Sequence, residues 1–199
     1  MSKSLNLFLS AVMAGICISI GCIVNLQVGG IAGAVLFTFG LITVVHYKYA
    51  LYTGTAGFIN SFDSLYDLFA IILLGNIAGC FITTVGLNVT DCMQELHDKV
   101  IPIAENRASQ SIWSALLRAI FCGFLMTTAV KFARENRWLP LLFAVPLFIL
   151  AGFYHSIADT FYMMINNKVE NFQIQWNWMI AIAGNFIGCN LHRIVRYEK

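Results

Sequence analysis

The sequence predicts an all-α integral membrane protein with six transmembrane helices, arranged as two inverted repeats of three helices each. One observation that predicts this fold is composition: 59% of the 199 residues are hydrophobic and only 11% are charged, which is too apolar for a soluble globular domain. The others are a series of long uncharged stretches and a hexapeptide that occurs twice. Together these observations predict a single transmembrane domain over residues 1–199.

The uncharged stretches are long enough for six crossings, since a helix needs roughly 20 apolar residues to span the hydrocarbon core. The predicted spans are Leu5–Val24, Gly30–Tyr47, Leu68–Leu87, Ile112–Phe132, Leu139–Ile157 and Trp176–His192. The first span leads straight into the second, so it does not resemble a cleaved secretory signal and we expect it to be retained. Between the second and third spans, residues 49–67 are polar and rich in glycine, and they predict a loop or a broken helix.

A repeated hexapeptide indicates that the two halves of the chain are copies. Residues 75–80 (GNIAGC) recur as residues 184–189 (GNFIGC), 109 positions later. The spans that begin the two halves also match in two pairs of small residues, Ala11 with Ala119 and Gly15 with Gly123. We interpret residues 4–90 and 109–192, approximately, as repeats. Because each repeat holds an odd number of crossings, the second must enter the membrane from the opposite side, an arrangement that places binding sites near the midplane.

Each predicted repeat contains a break after its second span. The first break falls at Leu51–Thr55 and the second at Phe153–Asp159. An unpaired backbone group costs several kcal/mol in lipid, so irregular backbone at membrane depth survives only where it is buried in protein or lines a cavity. Both breaks are therefore predicted to face a pathway.

His155 is an ionisable residue in the middle of the second break. Such a residue within a membrane is by default a functional-site hypothesis, and an imidazole with an unperturbed pKa of about 6.5 can offer a positive charge or a proton. Thr53 and Ser156 add hydroxyl donors that would bind an anion without trapping it. The alternative is structural, with a neutral histidine satisfied by hydroxyls and each hydroxyl bonded to a carbonyl of its own helix.

Lysine and arginine are distributed unevenly between the two sides of the predicted membrane. With a cytoplasmic N-terminus, the inner segments hold Lys3, Lys48, Lys131, Arg134, Arg137, Arg193, Arg196 and Lys199, and the outer segments hold Lys99, Arg107 and Lys168. The positive-inside rule then places both termini in the cytoplasm, as in a multi-pass protein of the cell inner membrane. The connection around Asp91–Glu105 is acidic and is predicted to be an outer loop.

Six segments resemble the formate/nitrite transporter family and together cover nearly the whole chain. They are GAVLFTFGLITVV (33–45), ALYTGTAG (50–57), LLGNIAG (73–79), LLRAIFCG (116–123), AGFYHSIAD (151–159) and AGNFIG (183–188). The resemblance implies an aquaporin-like protomer with a broken second helix in each repeat, assembled as a homopentamer with one pore per subunit. It also implies a membrane channel or transporter for small monovalent anions or their weak acids, of the formate, nitrite and hydrosulfide class. We expect lipid as the surrounding partner, no nucleic acid, no cofactor and no enzymatic activity.

The resemblance also implies roles for individual residues. His155 falls at the position of the family's central histidine and Thr53 at that of the threonine in the loop that interrupts the second helix. Arg107 falls where many members carry a lysine near the outer vestibule, and its positive charge would attract anions. The expected pathway residues are therefore His155, Thr53, Ser156 and Arg107.

Five large apolar residues are predicted near the breaks, where narrow apolar rings would exclude hydrated ions: Phe37, Leu41, Leu51, Tyr52 and Phe148. The resemblance implies that Phe37 and Phe148 form an outer constriction and that Leu51 and Tyr52 form an inner one. Ordinary packing is the alternative for each of them.

Four residues depart from the family pattern. Tyr154 stands where a glutamate is usual, Gly123 and Asp159 where asparagines are usual, and Ala50 where an acidic residue is often found. The sequence therefore leaves open which anion passes and whether a proton accompanies it.

Two other function classes are alternatives to an anion pathway. His46 and His155 could supply axial ligands to a heme in a membrane redox protein, which a visible absorption spectrum would reveal. A neutral-solute channel of the aquaporin type is the other alternative, although the sequence has no Asn-Pro-Ala motif at either break. The six cysteines have no CxxC spacing and are predicted to be buried packing residues.

Overall fold

The computed structural model describes residues 2–166 and 172–195, and within these ranges the chain forms helices and turns without a β-strand. The predicted all-helical class is therefore confirmed. The α-helices are α1 (Lys3–Val28), α2 (Gly30–His46), α3 (Tyr52–Thr55), α4 (Phe62–Tyr66), α5 (Leu74–Leu87), α6 (Met93–Ser109), α7 (Ile112–Arg134), α8 (Leu139–Leu150), α9 (Ser156–Asn166) and α10 (Phe172–Asn190). Three of the residues counted in the predicted charge distribution lie outside the described residues: Lys168, Arg196 and Lys199.

Three helical segments are long and apolar enough to cross a membrane: α1, α7 and the helix Phe62–Leu87, in which α4 and α5 are joined by a π-helical stretch at Asp67–Leu73. The shorter apolar helices α2 and α8 accompany them. The chain is thus a multi-pass membrane protein by the length and composition of its helices.

One predicted span and one predicted loop differ from the structure by more than a few residues. The fifth span was expected to run to Ile157, but α8 ends at Leu150 and the helix resumes at Ser156, because hydropathy does not report backbone direction and Gly152 turns the chain at a φ of 66°. The expected outer loop is helical as α6, which buries Leu96, Val100 and Ala104 at four-residue intervals. This one-sided apolar pattern is typical of a helix packed on a bundle surface.

The helices α2 and α8 end in the same kind of turn. Lys48 and Gly152 adopt left-handed backbone conformations, with φ of 57° and 66°. The next amide, of Tyr49 or Phe153, donates to the carbonyl five residues earlier at 2.9 Å in both cases. This is the hydrogen bond of a Schellman cap. It ends both helices with matching geometry just before the two breaks.

The glycines of the repeated hexapeptide allow close contact between helix backbones. A Cβ at Gly79 of α5 would lie 2.2 Å from the Val12 carbonyl oxygen of α1, and a Cβ at Gly188 of α10 would lie 2.0 Å from the Ile120 carbonyl oxygen of α7. No side chain fits at these distances. The pairs α1–α5 and α7–α10 therefore pack in the same way, as small residues allow in membrane helices.

Replacing Gly79 with alanine is expected to destabilise the protein by about 1–3 kcal/mol, because the added methyl group must push two helix backbones apart. Gly86 lies in the same helix, and a Cβ there would meet nothing within 4 Å. Gly86→Ala is the matched control, and we expect it to be neutral or slightly stabilising because alanine has the higher helix propensity. Thermal unfolding of the two variants in detergent measures the difference, and equal melting temperatures would contradict the prediction.

Candidate functional site

Asn76 holds the first break in place from α5. Its side-chain oxygen accepts a hydrogen bond from the Tyr52 amide at 2.8 Å, and its side-chain nitrogen donates to the carbonyls of Ala11 and Ala50 at 2.8 and 2.9 Å. The amide and carbonyl of the broken segment would otherwise be unpaired inside the bundle, which is costly in a buried site. One carboxamide thus satisfies both the end of the break and the start of α3.

Asn185 does the same for the second break from α10. Its side-chain oxygen accepts from the Ser156 amide at 2.8 Å, and its nitrogen donates to the carbonyls of Ala119 and Tyr154 at 2.8 and 2.7 Å. Both asparagines are fully buried. The sequence showed that the hexapeptide is repeated, but it did not show that the asparagine of each copy binds the backbone of the adjacent break.

The cysteines of the two hexapeptides also contact the broken segments. The thiol of Cys80 lies 3.6 Å from the Ile157 carbonyl oxygen, and that of Cys189 lies 3.4 Å from the Thr53 carbonyl oxygen. Thiols are weak donors to such carbonyls. Each hexapeptide therefore contacts its own break through asparagine and the opposite one through cysteine. Five of the six cysteines are buried as predicted, and Cys92 is partly exposed.

His155 caps the N-terminus of α9. Its Nδ1 accepts a hydrogen bond from the Ala158 amide at 3.2 Å, and its carbonyl accepts from the Asp159 amide at 2.8 Å. Because a backbone amide can only donate, Nδ1 must be the unprotonated nitrogen while this bond exists. The proton of the neutral ring is then on Nε2.

Thr53 and His155 bring the two breaks into contact. The Thr53 Oγ1 lies 3.0 Å from His155 Nε2, and both side chains are buried. With the ring proton on Nε2, the imidazole donates to the hydroxyl oxygen, and the hydroxyl hydrogen remains able to donate to another group. The contact gives the imidazole a hydrogen-bond partner, as a purely structural role requires. It also places an N–H and an O–H group side by side between the two breaks.

Aromatic residues of α2 and α8 cover one face of His155. The Phe148 ring stacks on the imidazole with centroids 5.4 Å apart, and Phe37 meets Phe148 edge to face at 5.8 Å. Leu41 and Leu51 are also buried in the same core, at 1% exposure each. Apolar groups therefore surround the site. A hydrogen bond from a donor to an anion is stronger in such surroundings than it is in water.

Tyr52 and Ser156 are buried next to this centre. The Tyr52 hydroxyl donates to the Ile182 carbonyl at 3.0 Å, so its polar end is bonded to α10. The Ser156 hydroxyl has no hydrogen-bond partner among the described residues, although the residue is fully buried. The structural alternative for Ser156, a bond to a carbonyl of its own helix, is therefore not formed in the described part of the chain.

Two cavities lie at opposite ends of α1. The first, of about 450 Å³, is lined by Asn25, Arg107, Arg118, Phe148, His155 and Asp159, among others; it is called here the Arg107 cavity. The second, of about 690 Å³, is lined by residues that include Leu7, His46, Lys48, Ala50, Gly54 and Arg134; it is called the Arg134 cavity. Leu7 and Asn25 are both on α1 and about 27 Å apart along its axis.

The Thr53–His155 contact lies between these cavities. His155 lines the Arg107 cavity, whereas Gly54, the neighbour of Thr53, lines the Arg134 cavity. Among the described residues the two cavities share no lining residue. Of the predicted site residues, Arg107 and Phe148 also line the first cavity, while Phe37, Leu41, Leu51, Tyr52, Thr53 and Ser156 line neither.

Arg107 binds the second break rather than projecting freely into the vestibule. Its Nε and Nη2 each lie 3.1 Å from Asp159 Oδ1. Its Nη1 donates to the Gly152 carbonyl at 3.2 Å, and Nη2 also donates to the Phe153 carbonyl at 3.3 Å. The guanidinium also lies over the Tyr154 ring, 3.6 Å from its centroid. No sequence signal indicates this ion pair, because the two residues are 52 positions apart and the segment that carries Arg107 is predicted as a loop.

The two histidines of the heme hypothesis lie on different cavities, since His46 lines the Arg134 cavity and His155 the Arg107 cavity. Axial ligands must face each other across one iron. This arrangement therefore does not fit a heme held between the two side chains.

Comparison with known proteins identifies the family. The family model described as formate/nitrite transporter matches residues 2–197. The fold is similar to that of a solved structure titled "Pentameric formate channel with formate bound", with a TM-score of 0.73, 21% identity, and coverage of 96% of this chain and 89% of that one. It is also similar to an "FNT family ion channel", with a TM-score of 0.81, 16% identity, and coverage of 96% and 88%.

No curated protein sequence matches the chain. The family match covers nearly all of the chain, and the family is one of transporters rather than enzymes. With its helices, its two breaks and its buried histidine, the chain belongs to the formate/nitrite transporter family.

Proposed function

We propose that the protein conducts small monovalent anions, or their weak acids, of the formate, nitrite and hydrosulfide class. The observation that carries this proposal is the Thr53–His155 contact between the Arg107 and Arg134 cavities, at 3.0 Å, in a chain of the formate/nitrite transporter family. The formate channel among the similar structures supports the same class of substrate.

Weak hydrogen bonding is the chemistry that the site offers to an anion. In the proposed path the anion enters through the Arg107 cavity, passes the Phe37 and Phe148 rings, and receives hydrogen bonds from Thr53 and His155. A full charge held in an apolar site would be too costly without such donors. Neutral donors lower this cost without binding so tightly that conduction stops.

The cap on α9 limits how His155 can take up a proton. Charging the ring requires a proton on Nδ1, and this nitrogen now accepts the Ala158 amide at 3.2 Å. Protonation must therefore break the cap, and proton transfer to a weak-acid anion is coupled to the first turn of α9. The resting ring is neutral in this proposal, and a protonated ring forms only when an anion arrives.

The architecture that we propose is six crossings in two inverted repeats, residues 4–90 and 109–192, within one transmembrane domain over residues 1–199. The matched contacts of Asn76 and Asn185, the equal turns at Lys48 and Gly152, and the equivalent glycine packing support this assignment. In it, α3 with the 3₁₀ turn Ala56–Phe58 is the counterpart of α9, so that the second helix of each repeat is the broken one.

We further propose a homopentamer in the cell inner membrane with both termini in the cytoplasm. The similar structure whose title names a pentameric channel supports the oligomer. Exposed apolar side chains on the helices, including Phe39, Phe81 and Phe143, provide surface for lipid and for neighbouring subunits. The excess of lysine and arginine in the inner segments supports the orientation.

A transport screen tests the proposed function. Purified protein in proteoliposomes should take up formate, nitrite or hydrosulfide. Acetate and lactate, which are larger, and chloride, which has no weak-acid form, serve as competitors. Stopped-flow swelling with glycerol tests the neutral-solute alternative. Uptake of at least one of the small anions without glycerol flux supports the proposal, whereas glycerol flux with no anion uptake at any pH would refute it.

A further inference from the structure

The Arg134 cavity carries an excess of positive charge. Lys48 and Arg134 line it, and none of its described lining residues is a carboxylate. The Arg107 cavity also has two arginines, but Asp159 lies among them and is paired with Arg107 at 3.1 Å. The two ends of the proposed path therefore differ in their free positive charge.

Among the described residues, Arg134 uses few of its hydrogen-bond donors on the protein itself. Its Nη2 donates to the Gly54 carbonyl at 3.3 Å, and its guanidinium lies over the Phe58 ring, 3.9 Å from the centroid. No carboxylate within residues 2–166 and 172–195 lies within ion-pair distance of it. A guanidinium has five N–H donors, and the described hydrogen bonds of Arg134 use one Nη2 donor.

The position of Arg134 links the cavity to the centre of the site. The carbonyl that it binds belongs to Gly54, the residue directly after Thr53, and Thr53 contacts His155. The same bond fixes the guanidinium at the inner end of the break. Planar N–H donors at this place match a carboxylate or nitrite in shape and charge.

We infer that Arg134, with Lys48 on the same cavity, binds the anion that enters from the end where α1 begins and delivers it to Thr53 and His155. This inference rests on the proposed function. A cation on the wall of a concave site raises the local concentration of anions. Entry from this end should therefore saturate at a lower anion concentration than entry from the Arg107 cavity.

The test measures formate uptake from each side separately. Proteoliposomes are prepared so dilute that most hold a single oligomer, and vesicles with the N-terminus outside are captured through an N-terminal affinity tag. Arg134→Gln is expected to raise the half-saturating formate concentration about threefold or more in the captured vesicles, with little change in the uncaptured ones. Arg134→Lys, which keeps the charge, should shift it less.

Arg137→Gln is the matched control. Arg137 lies just beyond the end of α7, stacks on Phe132 with its guanidinium 4.3 Å from the ring centroid, and is not among the residues that line the Arg134 cavity. We expect the half-saturating formate concentration of Arg137→Gln to equal that of the unmodified protein. An equal shift in Arg137→Gln and Arg134→Gln would show a general surface-charge effect and would overturn the inference, as would no shift in Arg134→Gln.

A salt titration of the unmodified protein tests the inference without a variant. An impermeant electrolyte should raise the half-saturating concentration more from the Arg134 side than from the other, because ions screen the attraction. Salt dependence that is the same from both sides overturns the inference even if Arg134→Gln does not fold. Formate, nitrite and hydrosulfide flux that is absent in the unmodified protein would instead refute the proposed function itself.

Discussion

Replacing His155 with phenylalanine is expected to reduce formate or nitrite flux by roughly ten- to a hundredfold. The change removes the Nε2 donor that lies 3.0 Å from Thr53 Oγ1, and a hydrogen bond to a charged group contributes about 1.5–3 kcal/mol. An anion at the centre would then meet an apolar wall formed by Phe148 and the new ring. Initial uptake rates in proteoliposomes, normalised to the reconstituted protein, measure the loss.

A second variant separates transport from folding at this position. In His155→Asn the carboxamide oxygen can still accept the Ala158 amide, since asparagine is a favoured N-cap residue, and its nitrogen keeps an uncharged N–H donor near the centre, although the side chain is too short to reach the Nε2 position. We expect this variant to retain flux but to lose the pH dependence that a titrating ring confers. His97→Asn removes a histidine of α6 that lines neither cavity and should leave the pH profile unchanged. A His155→Asn profile identical to that of the unmodified protein would rule out a proton-linked role for the ring.

Replacing Asn185 with leucine is expected to destabilise the protein by about 2–4 kcal/mol and to abolish transport. The variant loses three hydrogen bonds of 2.7–2.8 Å, and it leaves the Ser156 amide and the Tyr154 carbonyl without partners in a buried site. Each unsatisfied buried group costs about 1–3 kcal/mol. Because both groups adjoin His155, the break that presents the imidazole should lose its geometry first.

Asn76→Leu should have a similar effect on stability, because Asn76 makes the equivalent three bonds to the first break. Asn6→Leu is the control: it makes the same chemical change at an exposed position of α1 for which the described contacts include no side-chain hydrogen bond. Melting temperatures in detergent and the elution volume of the oligomer report the outcome. If Asn185→Leu has the same melting temperature as the unmodified protein, the carboxamide does not hold the break.

The buried ion pair between Arg107 and Asp159 places a carboxylate near His155. Asp159 lies about one helical turn after His155, in α9. The arginine contacts Asp159 and two carbonyls of the break. The contacts of Arg107 therefore position the His155 segment. Because Asp159 neutralises much of its charge, Arg107 attracts an arriving anion less strongly than an unpaired arginine would.

Some features of the site could be read directly from the sequence. His155 is a polar residue in an apolar stretch, and the two hexapeptides are identical at four of six positions. Such signals are local or repetitive and need no coordinates. The boundaries of α8 could not be read in this way, because its apolar run continues past the point where the backbone turns at Gly152.

The tertiary partners of these residues had no sequence signal. Asn76 and Ala11 are 65 positions apart, Arg107 and Asp159 are 52 apart, and Arg134 and Gly54 are 80 apart. Each polar group has several candidate partners of suitable chemistry within an apolar sequence. Which partner it finds depends on how the helices pack, and that depends on contacts summed over the whole bundle.

The sequence by itself determined that the chain forms helices apolar enough to cross a membrane, that it holds a repeated packing motif, and that an imidazole lies in a helix break. Composition and periodicity report these properties because they reflect the solvent that each segment meets and the residues that a close helix contact allows. Only the tertiary structure decided that two asparagines hold the breaks, that Arg107 is paired with Asp159, and that Arg134 has no carboxylate partner in the described part of the chain. Hydrogen bonds and ion pairs form between specific atoms, and only the packed helices bring those atoms within 3 Å or so of one another.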